Sequence, residues 1–382
     1  MATERLFDID SKASEFEAEV LEVVEGDGKF TVVLDRTLFF PEAGGQSCDE
    51  GKINDVTVSY VYERDRIIYH ECEGKLSVGE KVHGEILYAA RLRKMQNHTG
   101  EHIISGIVHA LYGYDNVGFH LSDNGMTIDF NGELTREQLD EIELLSNGIV
   151  IRCLPVKAYY PSESELESMD YRSKLDLKEN VRIVEIQGVD KCACCAPHVT
   201  NTGEVGIIKI LDFMRYKGGV RLQALCGLDA LEDYGRRCSQ IYSISTKISA
   251  KQSDIESGVD RLLLEIESLK AKIAGIKKEN REYKLQRIVY TEGNICFFED
   301  EGDIADMRHF ANEAIKKCSG ICGVFGGDDT SGYRYVIMSR SVNLKEKIPE
   351  INTALSARGG GSPEMITGTC KATREEIEKY FG

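Results

Sequence analysis

Two short segments of this 382-residue chain carry side chains able to share one chemical task. In Met95-Gln96-Asn97-His98-Thr99-Gly100-Glu101-His102 the histidines stand four residues apart on a stretch that reads as helix, so both imidazoles share a face and can close on one ion. About ninety residues later, Cys192-Ala193-Cys194-Cys195-Ala196-Pro197-His198 repeats the four-residue spacing with Cys194 and His198. Three nitrogens and one sulfur suit zinc, and a metal-dependent hydrolytic site built from His98, His102, Cys194 and His198 is the first expectation. Either pair alone would be read as solvated or packed. Both together, in a chain with only eight histidines, favour a metal.

The elements that must position these residues belong to an α+β multidomain protein. The length suggests two to four domains. No run approaches the roughly 20 apolar residues that span a bilayer, and Met1-Ala2-Thr3-Glu4-Arg5-Leu6-Phe7-Asp8 has no signal-peptide pattern, so a cytoplasmic location is expected. Twelve cysteines in a chain this long are too sparse for a disulfide scaffold, and the crowding of Cys192, Cys194 and Cys195 reads as a ligand loop. A formal charge of −17 argues against indiscriminate nucleic-acid binding but leaves room for a local basic groove.

Residues 1–90 read as short strands of a small β-barrel, with one unusual loop, Thr37-Leu38-Phe39-Phe40-Pro41-Glu42-Ala43-Gly44-Gly45-Gln46, where Gly44 and Gly45 permit a tight turn or close approach to a ligand. Residues 91–227 carry the ligands. A helix runs from Arg91 to roughly Leu111 with a buried stripe at Ile103, Ile104, Ile107, Val108 and Leu111. A hairpin with an asparagine–glycine turn at Asp123-Asn124-Gly125 follows, then a helix capped by Thr135 and strands flanking the cysteine loop.

Residues 228–290 read as a long helical arm, broken or bent near Ser243 to Ser249. Its positions Ile255, Val259, Leu262, Ile266, Leu269, Ile273, Ile276, Asn280 and Tyr283 alternate four and three apart, a coiled-coil seam for a homodimer or for an antiparallel hairpin arm. From Lys247 to Arg287, ten basic and seven acidic residues give a net +3, so this arm (Lys277, Lys278 and Arg281 in particular) is the surface least hostile to a phosphate backbone. Residues 291–382 read as a compact α/β domain. Its Arg358-Gly359-Gly360-Gly361 stretch is expected to be a loop, with backbone N–H groups available to an anion.

With these residues assembled, the chain resembles the long form of the AlaX family of freestanding alanyl-tRNA editing proteins, related to the editing and C-terminal domains of alanyl-tRNA synthetase. Phe39-Phe40-Pro41-Glu42-Ala43-Gly44-Gly45-Gln46 is similar to the family's aromatic-proline-glutamate loop ending in two glycines and glutamine. His98 and His102 match its H-x3-H, and Cys194 and His198 with Asn201-Thr202-Gly203-Glu204 match its C-x3-H and trailing T-G-E. The Arg358 to Gly368 stretch resembles its C-terminal glycine signature. The chain departs from the family in carrying Cys195 and Ala196 where two glycines usually follow the cysteine, Pro197 before His198, and Ala43 where glycine is frequent. Cys192 and Cys195 therefore stand as alternative thiolates, with Cys194 favoured by spacing.

The resemblance implies zinc-dependent hydrolysis of the ester on mischarged tRNA(Ala), chiefly Ser-tRNA(Ala) with Gly-tRNA(Ala) beside it. His98, His102 and Gln46 would be catalytic, and Thr37, Gly44, Gly45, Phe119 and His120 would bind substrate. Lys277, Lys278, Arg281, Arg358, Gly359, Gly360 and Gly361 would contact tRNA. Four protein donors fill a tetrahedral shell, so a loose ligand, an expanded shell or a water activated elsewhere all stay open. Two other readings compete: editing of Ser-tRNA(Thr) in the manner of threonyl-tRNA synthetase, and RNA binding with a purely structural zinc. The C-terminal domain also suggests a phosphoesterase, but no D-H-H aspartate cluster accompanies it.

Overall fold

A computed structural model describes residues 2–26, 28–122, 125–173, 180–299 and 303–382. The chain divides into two compact units, Met1–Ile244 and Ser245–Gly382. Among the described residues no helix is long and apolar enough to cross a membrane.

In the first unit, six strands close into a barrel in the order Glu15–Gly26, Lys29–Leu34, Ile67–Cys72, Val56–Arg64, Gly51–Ile53 and Lys81–Ile86. Burial alternates residue by residue along Ile67–Cys72 and Lys81–Ile86, as expected when one pleat face fills a core and the other meets water. Val32, Leu34, Phe39, Ile53, Val61, Ile68 and Val82 fill the interior.

The helix Tyr88–Tyr112 follows, starting three residues earlier than the sequence suggests and ending at Gly113, whose φ of 67° lets its N–H close on the carbonyl of His109. It is no ordinary amphipathic helix. Every residue from Met95 to Val108 is buried, so in place of the single apolar stripe expected from sequence this stretch is enclosed on all sides, while Leu111 of that stripe is exposed. An antiparallel four-stranded sheet, ordered Ile208–Tyr216, Gly219–Cys226, Gly125–Phe130, Asn116–Ser122, shares its core. A three-stranded sheet (Val156–Tyr159, Ile183–Ile186, Asp190–Ala193) leads into the cysteine loop. Gly100 and Gly106 make this enclosure possible. A Cβ at Gly100 would lie 2.2 Å from the Cys226 sulfur, and one at Gly106 2.4 Å from the carbonyl oxygen of Val189. The helix Arg136–Ile151 starts from a full capping box between Thr135 and Gln138. The turn expected at Asp123-Asn124-Gly125 falls at residues 123 and 124 outside the described residues, although the strands on either side pair as a hairpin.

One buried ion pair joins the helix to the barrel. Arg91, fully buried, donates from Nε to both oxygens of Asp49 at 2.9 and 3.0 Å and from Nη2 to the carbonyl of Leu38 at 2.6 Å. Asp49 in turn accepts from the backbone N–H of Phe40 at 2.7 Å, so the pair also shapes the loop leading to Gln46.

In the second unit the helix Ile255–Gln286 is separated from Gly227–Lys247 by a break that includes a short 3-10 turn at Gln252–Asp254. The coiled-coil seam stays exposed: Val259, Leu262, Ile266, Leu269, Ile273, Ile276 and Tyr283 are all more than a third accessible in the single chain. A five-stranded sheet follows, ordered Ile295–Glu299, Ile321–Asp328, Gly332–Ser339, Met365–Cys370, Ala357–Gly361, with the first pair parallel and the rest antiparallel. The glycine stretch is therefore an edge strand and not the loop expected from sequence. Packing gives the reason. A Cβ at Gly359 would meet the Tyr335 hydroxyl at 2.1 Å and the Thr367 carbonyl at 2.4 Å, so the residue must be small for the strand to dock.

Replacing Asp49 with Ala strands a buried guanidinium, and the expected cost is about 3–5 kcal/mol of stability. Chemical denaturation of Asp49→Ala checks this; a midpoint equal to that of the unaltered chain would show that the pair does not tie helix to barrel.

Candidate metal centre

The donor atoms of His98, His102, Cys194 and His198 all lie within 4.8 Å of one another. The Cys194 sulfur is 3.5 Å from His98 Nε2 and 3.3 Å from His198 Nε2. Zinc bonds of 2.0–2.3 Å in a tetrahedron set donors roughly 3.3–3.6 Å apart, so these side chains fit that ion. Cys194 is the thiol in this group. Cys192 falls instead with His102 and Asp190, and the Cys195 sulfur faces Gly44, 3.6 Å from where its Cβ would be.

Each imidazole is held from behind through Nδ1. His98 Nδ1 meets Gln46 Oε1 at 2.9 Å, His198 Nδ1 meets Thr99 Oγ1 at 3.0 Å, and His102 Nδ1 meets Asp190 Oδ2 at 2.8 Å. With Nδ1 engaged, Nε2 is the nitrogen left for an ion, which is the device by which proteins fix tautomer and ring orientation around metals. Asp190 is itself gripped by Arg172, whose Nε and Nη2 donate at 2.7 and 2.9 Å. Burial would raise the Asp190 carboxyl, but its bonds to His102 and Arg172 bring it down to about 2. Burial alone would likewise raise the Cys194 thiol; the positive field of His98 and hydrogen bonds from the neighbouring histidines hold it well below the ordinary value. Burial pushes His198 down to about 3. Cys194 and His198 thus stand in the thiolate and neutral-imidazole forms a metal takes, whereas burial at His102 is outweighed by Glu101 and the bond to Asp190, which hold it well above the ordinary value.

A cavity of about 550 Å³ opens on this cluster. Gly44, Gly45 and Phe119 line it together with His98, His102 and Cys194. Phe119 lies over His98 with ring centroids 4.6 Å apart. Gly45, at φ 82°, accepts from the N–H of Leu121 at 2.8 Å, and a Cβ there would strike the carbonyl of Phe119 at 2.4 Å. The barrel loop thus docks directly on the strand bearing Phe119.

Other expected residues lie elsewhere. Thr37 is fully buried in the barrel, its hydroxyl engaged by His70 Nε2 at 2.9 Å and by the N–H of Phe39 at 3.0 Å, and it does not line the cavity. His120 follows Phe119 on the same strand, so the pleat turns it to the opposite face, where it is exposed. Neither is placed to read a substrate hydroxyl in this cavity. Gln46 stands behind His98, 1% exposed, and its Nε2 has no partner among the described residues. In the second unit, Lys278 approaches Glu282 at 4.0 Å, and Arg281 pairs with Asp306, an acid from outside the arm that offsets part of its positive charge. Lys277 lines a cleft with Arg281 and Lys284, while Arg358 lines another with Arg334 and Lys371. Gly359, Gly360 and Gly361 belong to the edge strand.

Sequence reasoning missed Thr99, Glu101, Arg172 and Asp190. Thr99 and Glu101 sit between the paired histidines, and polar residues there, flanked by the apolar Ile103 and Ile104, are a legible sign of buried polar work. Asp190 precedes the cysteine loop by one residue, in what reads as a plain turn. Arg172 carries no local signal, because only the tertiary structure brings it to Asp190.

Two family descriptions match the chain: "Threonyl and Alanyl tRNA synthetase second additional domain" over residues 181–223, and "tRNA synthetases class II (A)" over residues 7–89. The first covers the cysteine loop and the strands after it; the second covers the barrel and the short helix before it. Among curated proteins, the alanyl-tRNA editing protein AlaX-L of Pyrococcus horikoshii is 28% identical over 98% of this chain and 96% of its own length. The alanine–tRNA ligase of Ignicoccus hospitalis is 27% identical over 98% of this chain but 42% of its own length, and that of Thermofilum pendens 33% identical over 74% and 32%. The chain thus spans less than half the length of these ligases. Among solved structures, the C-Ala domain of Aquifex aeolicus alanyl-tRNA synthetase matches at 23% identity over 24% of this chain and 87% of that one, with a TM-score of 0.20. Along nearly its whole length, the chain is similar to the alanyl-tRNA editing protein AlaX-L.

Proposed function

We propose that this protein is a freestanding editing hydrolase that removes the wrong amino acid from tRNA(Ala), chiefly serine and also glycine, by zinc-dependent hydrolysis of the aminoacyl ester. The observation that carries the reading is the convergence of His98, His102, Cys194 and His198 on one point, with His98, His102 and Cys194 at the wall of a cavity lined by the Gly44-Gly45 loop and Phe119. End-to-end similarity to an AlaX-L protein supports the choice of tRNA(Ala) over tRNA(Thr). The barrel loop ending in Gln46 supports it too.

An aminoacyl ester is already activated, so the site has to orient ester and water and to stabilise charge on the carbonyl oxygen. Zinc on these four donors would supply Lewis-acid charge at the reacting carbonyl. The chain does the rest. Gln46, Thr99 and Asp190 hold the three rings in place, and Phe119 offers the terminal adenosine or the amino-acid side chain an aromatic wall beside His98. Gly44 and Gly45 keep the cavity mouth free of side chains where the backbone approaches Phe119. The second unit is assigned to the tRNA body, through Lys277, Lys278, Arg281, Arg358 and the Gly359 to Gly361 strand. The exposed seam of its long helix is assigned to a homodimer in the cytoplasm.

A closed shell of four protein donors is also what a structural zinc takes, which keeps RNA binding without hydrolysis as the second reading. Hydrolysis of Ser-, Gly- and Ala-tRNA(Ala), with metal content measured before and after chelation, separates the two. The expected result is loss of the serine and glycine esters, sparing of the alanine ester, and no activity once the metal is removed. A fully metallated protein that spares all three esters would sink the enzyme reading.

Asp190→Asn tests the anchoring of His102. Loss of the charged acceptor is expected to weaken zinc binding about 10–100-fold in competition with a chelator, with the fold retained. Unchanged affinity would show that Asp190 serves only Arg172.

A further inference from the structure

Glu101 is an acidic residue that none of the three imidazole anchors employs. It follows His98 by three positions, which makes the two neighbours on the helix surface. It is 4% exposed, yet lies on the wall of the cavity with His98 and His102. Its Oε1 accepts from the Ser105 hydroxyl at 2.6 Å and from Asn116 Nδ2, and Asn116 also donates to Ser105 at 3.2 Å. These bonds fix the carboxylate. Its Oε2 lies 3.8 Å from His102 Nε2, the nitrogen turned toward the metal cluster.

A carboxylate in such a place is expensive. Burying it costs several kcal/mol unless it is paired, and Glu101 is held with its Oε2 3.8 Å from the His102 ring, on the side of the metal cluster. The order histidine, acid, histidine on one helix (H-x-x-E-H) also occurs in a class of zinc hydrolases. Since four protein donors already complete a tetrahedral set, a base outside that set answers the need for a group to activate water.

We propose that Glu101 is the general base of the hydrolysis, an assignment that rests on reading the chain as an aminoacyl-ester hydrolase. As water attacks, one of its O–H bonds breaks and the proton passes to Glu101 Oε2, while the water oxygen bonds to the ester carbonyl carbon. When the tetrahedral adduct collapses, the bond from that carbon to the ribose oxygen breaks and Glu101 returns the proton to the ribose oxygen. The products are the free amino acid and tRNA with its terminal hydroxyl restored. Glu101 ends as it began, and no further reactant is needed.

The test uses the full chain loaded with zinc and Ser-tRNA(Ala). Absence of hydrolysis by the unaltered, fully metallated protein would remove the editing reading, and the base with it. Given activity, Glu101→Gln is expected to lower kcat by about 10²–10⁴-fold, with KM changed less than about threefold. Its zinc content and its zinc affinity against a chelator should match those of the unaltered chain. Glu101→Asp, which keeps the charge on a shorter stem, is expected to be at least about tenfold faster than Glu101→Gln. Three results would overturn the assignment while leaving the editing reading in place. They are a Gln variant within about threefold of full rate, loss of zinc in step with loss of rate, and an Asp variant no faster than the Gln variant.

Discussion

The first unit is arranged around one desolvated helix. From Met95 to Val108 every residue is buried, although Gln96, Asn97, His98, Thr99, Glu101, His102 and Ser105 are all polar. An unpaired polar group in such a place costs on the order of 1–3 kcal/mol, so the surrounding elements are constrained to present a partner to each. Gln96 donates to the carbonyl of Glu204 and accepts from the N–H of Leu228; Asn97 bonds Asp229 and accepts from the N–H of Cys226. The barrel supplies Gln46 to His98, the three-stranded sheet supplies Asp190 to His102, and the cysteine loop brings His198 to Thr99. Satisfying the helix and building the site are one and the same requirement.

That coupling accounts for a site drawn from several segments far apart in sequence. The barrel loop is placed by Asp49, whose carboxylate bonds both Arg91 and the N–H of Phe40, so the glycine turn after Pro41 reaches the strand of Phe119 at a fixed distance. The cysteine loop is placed by Arg182, which donates to the carbonyls of Cys194 and Ala196 at 3.1 and 2.8 Å. Buried charge pairs of this kind hold the surrounding side chains in one geometry, which a metal centre requires. The reagents sit on rigid elements, and the cavity remains open beside them.

The second unit follows a different rule. Its glycines serve packing: the Tyr335 ring and hydroxyl occupy the space that side chains at Gly359 and Gly368 would take. The consequence is an edge strand with little side-chain cover, beside a cleft lined by Arg334, Arg358 and Lys371. The long helix leaves its apolar seam in water.

Sequence alone determined which side chains stand as candidate metal donors. Two four-residue spacings of histidine and cysteine, a glycine turn before a glutamine, and a heptad pattern are local features, and helix and strand periodicities project them onto faces without any knowledge of the fold. Thr135 as a helix cap and the mixed α+β character were legible for the same reason. What only the tertiary structure decided were the pairings between distant segments. Thr37 looked available for substrate, but barrel closure spends its hydroxyl on His70. His120 looked equivalent to Phe119, but the register of the strand turns one inward and the other out. The triple glycine read as a loop because sequence could not show Tyr335 beneath it. Arg172 and Asp190, eighteen residues apart, become a single support for His102 only when the strand Asp190–Ala193 is in place. Local covalent spacing can say which side chains could hold an ion; the desolvation of the helix they stand on decides which others must come to hold them.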